Sequence, residues 1–457
     1  MLGLLSDTCW FETTLKTTVM KQNATFKGWE PTWANACVGE NGNPQIYEYA
    51  SGYASAANLL LDQVIEKEGR SLYVDIFIYP ICFNMRHAIE LFLKAAAVSL
   101  EQLAKIRSSA IPAFDLTGSH DLGNIWTYVR EHASQFDLRY VELLTELNRY
   151  VADVAEIDAT GQVFRYPFDL DNNKHLTSVS VINVVILKER WAILERLLKN
   201  LNRLNDDLLI EYGWGGFTAK LSRLQLAQIA AALPARDQWS LLEFDQVKSD
   251  LCKKYTLSSN DFSKALHAIQ SRRELAAICG HVIPIPGLDV SALQQFLEIW
   301  MKKHDLAKIV APPSEFDPGR DFVEPNFEEM ISYYEESEKL QKELVKTVKP
   351  GAFAALRALF YFDREDAFSE VFEKLLIQYQ KASAEYANVP ASYFNDARHL
   401  LEKTSAFVSI LNSLNFLGQA EMVNAVVDRY QLHGQVSKLL EPSERARARI
   451  LQGHLYT

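Results

Sequence analysis

Apolar residues recur along this chain mostly at spacings of three and four, the period of a helix packed on one side. The stretch Tyr79–Lys94 is the most apolar of these helical runs, with Ile78, Ile81, Met85, Ile89 and Phe92 or Leu93 covering most of its surface. A helix that is apolar nearly all round belongs in the middle of a bundle. Arg86, Glu90 and Lys94 nevertheless fall at i, i+4 and i+8, on one face, and His87 sits three residues before Glu90. Buried charges must be paired. The stripe is therefore expected to meet partners from elsewhere, with Glu90 in ion-pair reach of Arg86, His87 or Arg165.

The pattern predicts helices through most of the chain. Residues 1–45 read as an irregular extension laid over the bundle like a strap, with a short strand expected over Lys16–Met20 and tryptophans at 10, 29 and 33. Tyr49, Tyr53, Ala56, Leu60 and Val64 mark a helix over 47–66. The central helix follows to about Ile106, with Pro80 at its start, where a missing N–H is tolerated. Ser119 or Asp121 caps a helix through Leu122, Ile125, Trp126 and Val129. Further helices are expected over 138–157 and 179–212, joined by an extended piece at 162–167 and a turn at 169–174. Four or five helices with short connections make a bundle over 46–212.

A second module is expected over 213–310, with helices near 221–233, 239–255, 262–278 and 291–304. Ser258-Ser-Asn-Asp261 would cap the third, placing Lys264, Arg272 and Arg273 outward. A serine-capped second helix with basic residues is compatible with helix-turn-helix DNA contact, although most such helix pairs are simply packing units. Ile309–Gly319, with Pro312-Pro313 and Pro318-Gly319, reads as a linker. A C-terminal domain over 311–457 follows: an acidic helix at 326–349, then helices at 352–362, 365–381, 390–414 and 419–430, and a basic end. The whole is expected to be all-α.

Composition narrows the class. At 457 residues, 48% hydrophobic and 23% charged, the chain has ample core for two or three domains. A net charge of −11 argues against a surface built as a general nucleic-acid binder. The five cysteines are scattered without a Cys-x-x-Cys pair and read as free thiols. No run approaches a membrane span in this reading, and the first residues lack the features of a signal peptide. A cytoplasmic protein is expected.

The ordered series Tyr49-Ala-Ser-Gly-Tyr53, Tyr79-Pro80, Arg86-His87-x-x-Glu90-Leu-x-Leu-Lys94, His120-Asp-Leu122 and Phe164-Arg-Tyr-Pro167 resembles a group of bacterial helical-bundle proteins near the HEPN superfamily, over roughly residues 40–212. The resemblance implies a HEPN-like bundle in a defence or toxin-type system directed against phage or mobile elements. It also implies RNA or DNA as a ligand, a protein partner from the same system, a homodimer, and, for an enzyme, metal-independent RNA cleavage without a cofactor. One feature departs from the catalytic pattern. HEPN ribonucleases carry an Arg, four to six residues, then a His, and residues 1–212 contain no such pair. Arg447 or Arg449 with His454 are the only matches, and they fall at the chain end, where an accidental pairing is the expectation.

Two readings of the motif residues remain open. Arg86, His87, Glu90, His120, Asp121 and Arg165 could fix which helices meet. Alternatively, Arg86, His87 and Glu90 are catalytic, while His120, Arg165, Tyr166, Arg272 and Arg273 bind a nucleic acid or ligand. Phosphate-loop, dinucleotide-binding, zinc-protease and serine-hydrolase motifs are absent from the sequence.

Overall fold

The computed structural model describes residues 23–68, 70, 73–310, 327–363 and 368–453. Its described residues form eighteen α-helices and no strand, with one isolated antiparallel bridge between Phe168 and Lys174.

Five helices build the first bundle: α1 (Ile46–Glu66), α2 (Val74–Ile106), α3 (Leu122–Ala133), α4 (Arg139–Ile157) and α5 (Val184–Gly213). α2 packs against α1, α3 and α5, and one apolar core runs from Ala50 to Tyr212. α1 buries Ala50, Ala54, Ala57, Leu61 and Val64. This stripe is turned by one residue from the expected one, and Tyr49 is exposed. The reason is size: three alanines let α1 lie close on α2, whereas the expectation followed the larger side chains.

α2 begins five residues earlier than expected, so Pro80 lies inside it, on the exposed side. There water can serve the Ile76 carbonyl that loses its donor. The extra turns also make α2 long and apolar enough, by length and composition, to cross a membrane, which corrects the sequence reading. Half of its most apolar window is buried among the other helices, as in the core helix of a bundle. The 162–167 piece is a helical turn and not extended, because the Arg165 and Tyr166 N–H groups both donate to the Gln162 carbonyl. Residues 23–45 contain no buried residue and so form no strap over the bundle. The strand expected at 16–20 lies outside the described residues.

A second core gathers α6 (Arg223–Ala232), α7 (Leu242–Lys254), α8 (Ser259–Gln270) and α9 (Arg273–Ile278) around Leu226, Phe262, Ile269 and Leu275. Ser222 with Gln225, and Ser258 with Asp261, close reciprocal caps on α6 and α8. The single helix expected over 262–278 is two, since Arg272 is extended.

The third core runs from Ile285 to Leu440 and unites α10 (Val290–Met301), α11 (Leu306–Val310), α12 (Phe327–Thr347), α13 (Pro350–Phe362), α14 (Ser369–Ala384), α15 (Pro390–Leu401), α16 (Ala406–Phe416) and α17 (Ala420–Arg429). α10 therefore belongs to the C-terminal core, and the two cores divide between Cys279 and Ile285, ahead of the expected boundary at 310. The expected linker lies mostly outside the described residues. The helix expected over 390–414 is broken between α15 and α16, where the Lys403 carbonyl accepts from Trp300 Nε1 at 3.1 Å. The basic end forms a further helix, α18 (Val436–Gln452), packed on α16 and α6. Pro442 interrupts its ladder. Asn412 spans the gap, donating to the Leu439 carbonyl at 2.9 Å and accepting from the Ser443 N–H at 3.1 Å.

Candidate functional site

The charged stripe of α2 lies inside the bundle as expected, with Arg86, Glu90 and Lys94 all buried. Arg86 acts as a clamp. Its Nη1 donates to Glu90, its Nη2 to the carbonyls of His120 and Ala159, each at 2.6 Å, and its Nε to the Asp158 carbonyl at 3.2 Å. Ala159 O also accepts from the Leu122 N–H at 2.8 Å. One guanidinium thus ties α2 to the start of α3 and to the turn after α4. Gly161 has φ +77°, and a Cβ there would come within 3.3 Å of the guanidinium. The turn fits over Arg86 because this residue is glycine.

Glu90 is held from three sides: Arg86, Lys94 Nζ at 2.9 Å and His120 Nδ1 at 3.1 Å. Burial alone would raise its pKa. The Lys94 bond, the Arg86 charge and the His120 bond outweigh that and hold the carboxyl below its ordinary range. Asp158, fully buried, brings a second carboxylate next to the clamp. Its Oδ1 accepts from the Val163 N–H, while Oδ2 has no partner. With Asp158, burial pushes the nearby Cys82 thiol up to about 12, so this cysteine stays protonated.

The residues expected to be catalytic divide here. Arg86 and Glu90 meet as predicted. His87 does not bond Glu90; it lies edge-on to Tyr53 at 4.4 Å and stacked over Phe83 at 5.9 Å. Burial lowers its pKa; Glu90 opposes this, while Arg86, Lys94 and Arg165 add to it. At neutral pH His87 is therefore an uncharged ring. His120, expected as a ligand contact, is a Glu90 partner whose side chain is 61% exposed. Asp121 caps α3 by accepting from the Asn124 N–H at 2.8 Å. Sequence spacing gave Lys94 a place on the stripe without showing that it pairs with Glu90.

Arg165 and Tyr166 are exposed and do not bond Glu90. They line a separate groove of about 650 Å³ between the first turns of α2, the 163–167 turn and residues 174–182. Its lining holds Tyr79, Phe164, Tyr166 and His175, and its cationic groups Arg165 and Lys174 stand with one acid, Asp75. The Arg165 guanidinium lies 5.3 Å from the Tyr166 ring centre. His175 Nε2 is buried without a hydrogen-bond partner. Around the groove Ile76, Phe168, Leu170, Val181 and Ile186 are exposed.

Arg272 and Arg273, expected to point outward toward nucleic acid, instead face the C-terminal core. Arg272 Nε donates to Glu370 at 2.8 Å, and Arg273 Nε donates to Glu373 at 2.6 Å. The break at Arg272 turns both toward α14, where Glu370 and Glu373 lie three apart on one face. Arg223, which sequence reasoning missed, is the centre of this junction. It is buried, bonds Glu274, and reaches Glu370 with Nη1 at 2.9 Å and Nη2 at 2.7 Å. Gly215 and Gly216 make this possible, both at positive φ, with Gly216 directly against Arg223. Arg447 is partly buried and Arg449 exposed, and His454 lies outside the described residues.

Among the described residues no three His, Cys, Asp or Glu side chains gather closely enough to share a metal ion. The arrangement on α2 can fix helices in place, and at its exposed edge it offers one imidazole oriented by a carboxylate. Comparison with protein-family models, curated proteins and solved structures finds no match to this chain.

Proposed function

We propose that the chain is a helical adaptor of a bacterial defence or toxin-type system, which binds a protein partner and cleaves nothing itself. The observation that supports this is the state of Arg86. An arginine that stabilises a transition state must have N–H groups free for substrate oxygens. Here four of the five N–H groups are engaged, with three main-chain carbonyls and Glu90, and the side chain is only 3% exposed. The HEPN-like motif order supplies the defence setting. Three helical cores in series supply a large surface for contact.

One observation favours the ribonuclease reading instead. His120 is exposed while Glu90 holds its Nδ1, the arrangement of an imidazole oriented for proton transfer. Incubation with single-stranded RNA separates the two readings. An adaptor leaves the RNA intact and co-purifies with the product of a neighbouring gene. RNA cleavage that His120→Ala abolishes at unchanged melting temperature would overturn the adaptor reading.

A further inference from the structure

Among the described residues, two apolar surfaces are left uncovered. Residues 23–45 bury nothing: Phe26, Trp29, Trp33 and Val38 are 84%, 72%, 86% and 73% exposed. Yet the segment is locally ordered. Asn23 Oδ1 accepts from the Thr25 and Phe26 N–H groups, Asn35 Oδ1 accepts from the Trp29 N–H at 2.9 Å, and Glu30 accepts from the Thr32 N–H at 3.1 Å. The result is a short arm that presents aromatic side chains to solvent. Exposed apolar clusters of this kind mark contact sites. The second surface is the groove at 163–182 with its aliphatic rim.

We propose that the arm of one copy of this chain occupies the groove of a second copy, and that a reciprocal exchange closes a dimer. Charge supports the match. The arm carries Glu30 and Glu40 against Lys27, a net negative segment. The groove carries Arg165 and Lys174 against Asp75, a net positive lining. Aromatic and aliphatic groups complete both sides: the arm's tryptophans meet Tyr79, Phe164 and Tyr166 and the exposed rim. The arm is not seated in its own groove: every residue from 23 to 45 is exposed, so none of them is packed against the groove of its own chain. Mutual exchange between two identical chains makes the same contact twice and closes after two subunits.

This inference goes beyond the adaptor reading and stands or falls separately. The test is the mass of the full chain by light scattering over a dilution series. Wild type should run at twice the chain mass. Trp29→Ser/Trp33→Ser, which lacks a competent arm, and Arg165→Glu/Lys174→Glu, which lacks a competent groove, should each run at once the chain mass. All four positions are exposed, so circular dichroism should show both variants folded. Mixing the two variants should restore a species of twice the chain mass, since one intact arm and one intact groove remain between them. A monomeric wild type, a dimer unaffected by either pair of substitutions, or two monomeric variants that fail to associate on mixing would each overturn the exchange. Glu30→Lys/Glu40→Lys combined with Arg165→Glu/Lys174→Glu should recover dimer that either change alone loses. Failure to recover it would overturn the charge match.

Discussion

Arg86 and His87 are neighbours in sequence, yet the bundle gives them opposite chemical roles. Arg86 points into the cluster and is used up by carbonyls of three loop residues and by Glu90. Arg86→Ala removes one of the two cations bonded to Glu90, leaving Lys94 with His120, and takes the guanidinium donor from three carbonyls, of which Ala159 O alone keeps a second donor, the Leu122 N–H. Loss of one partner of a buried pair costs about 3–5 kcal/mol. The expected outcome is a variant that melts early or fails to accumulate; an unchanged melting temperature together with lost activity would mark a ligand site instead. His87 lies between aromatic rings and resists protonation, its pKa lowered first by burial. The unfolded chain then takes up a proton before the folded one as pH falls, so stability is complete above the unfolded value, about 6.5. It declines from there down to the lower folded value. His87→Phe keeps an aromatic ring and removes the proton site. Urea unfolding from pH 7.5 to 5.5 should show a flatter stability profile in that variant than in wild type. Glu90, with a depressed pKa, adds a loss of its own only at lower pH, as its folded-state pKa is crossed.

Helices and their faces were legible where one strong rule acted alone. The i, i+4, i+8 stripe on α2 predicted an inward charge cluster because a helix fixes those positions relative to one another. Ser258 and Asp261 announced the start of α8 for the same local reason. The misreadings came where tertiary contacts outvoted the pattern. Arg272 interrupts an amphipathic run and is extended, with its side chain on Glu370, almost a hundred residues away. α18 hides behind a proline and basic residues, and Asn412 from another helix bridges the interruption. No spacing rule points to Arg223, whose partners sit on α9 and α14. The adjoining Gly215-Gly216 did leave a signal, but it read simply as a helix stop. Gly216 is more than that: it has φ +82° and lies against Arg223. Gly216→Ala should lower stability by about 1–3 kcal/mol through strain at positive φ, with displacement of Arg223 added. Equilibrium unfolding checks this, and Gly213→Ala, where a Cβ meets nothing within 4 Å, is the control.

At the scale of the molecule the question is whether three cores behave as one. Between the second and third cores lies a cluster of ion pairs beside the apolar contact of α18 with α6. Arg223, Arg272 and Arg273 face Glu274, Glu370 and Glu373, with Arg223 over the Phe368 ring at 4.9 Å and Lys374 over Trp214 at 3.8 Å. Three arginines and three glutamates balance in number, and three of them, Arg223, Arg273 and Glu274, are nearly or wholly buried. Such a junction differs from an apolar one in how it fails. An apolar interface weakens by degrees when one side chain is trimmed, whereas a buried ion left alone opposes closure altogether. Arg223 is the member on which the rest converge, since it alone bonds both Glu274 and Glu370. Its removal leaves two carboxylates without their main counter-charge, next to Arg272, which can serve just one of them. Arg223→Ala should therefore do more than lower the melting temperature. In calorimetry the second core should separate from the third, giving a low-temperature transition that wild type lacks. Limited proteolysis should cut between Cys279 and Ile285, where the two cores divide. A double change, Arg223→Met with Glu370→Leu, removes charge from both sides and should restore part of the coupling. A single unshifted transition in Arg223→Ala would mean that apolar packing through α18 and α6, where Ile450 touches both cores, holds the modules together without the ions.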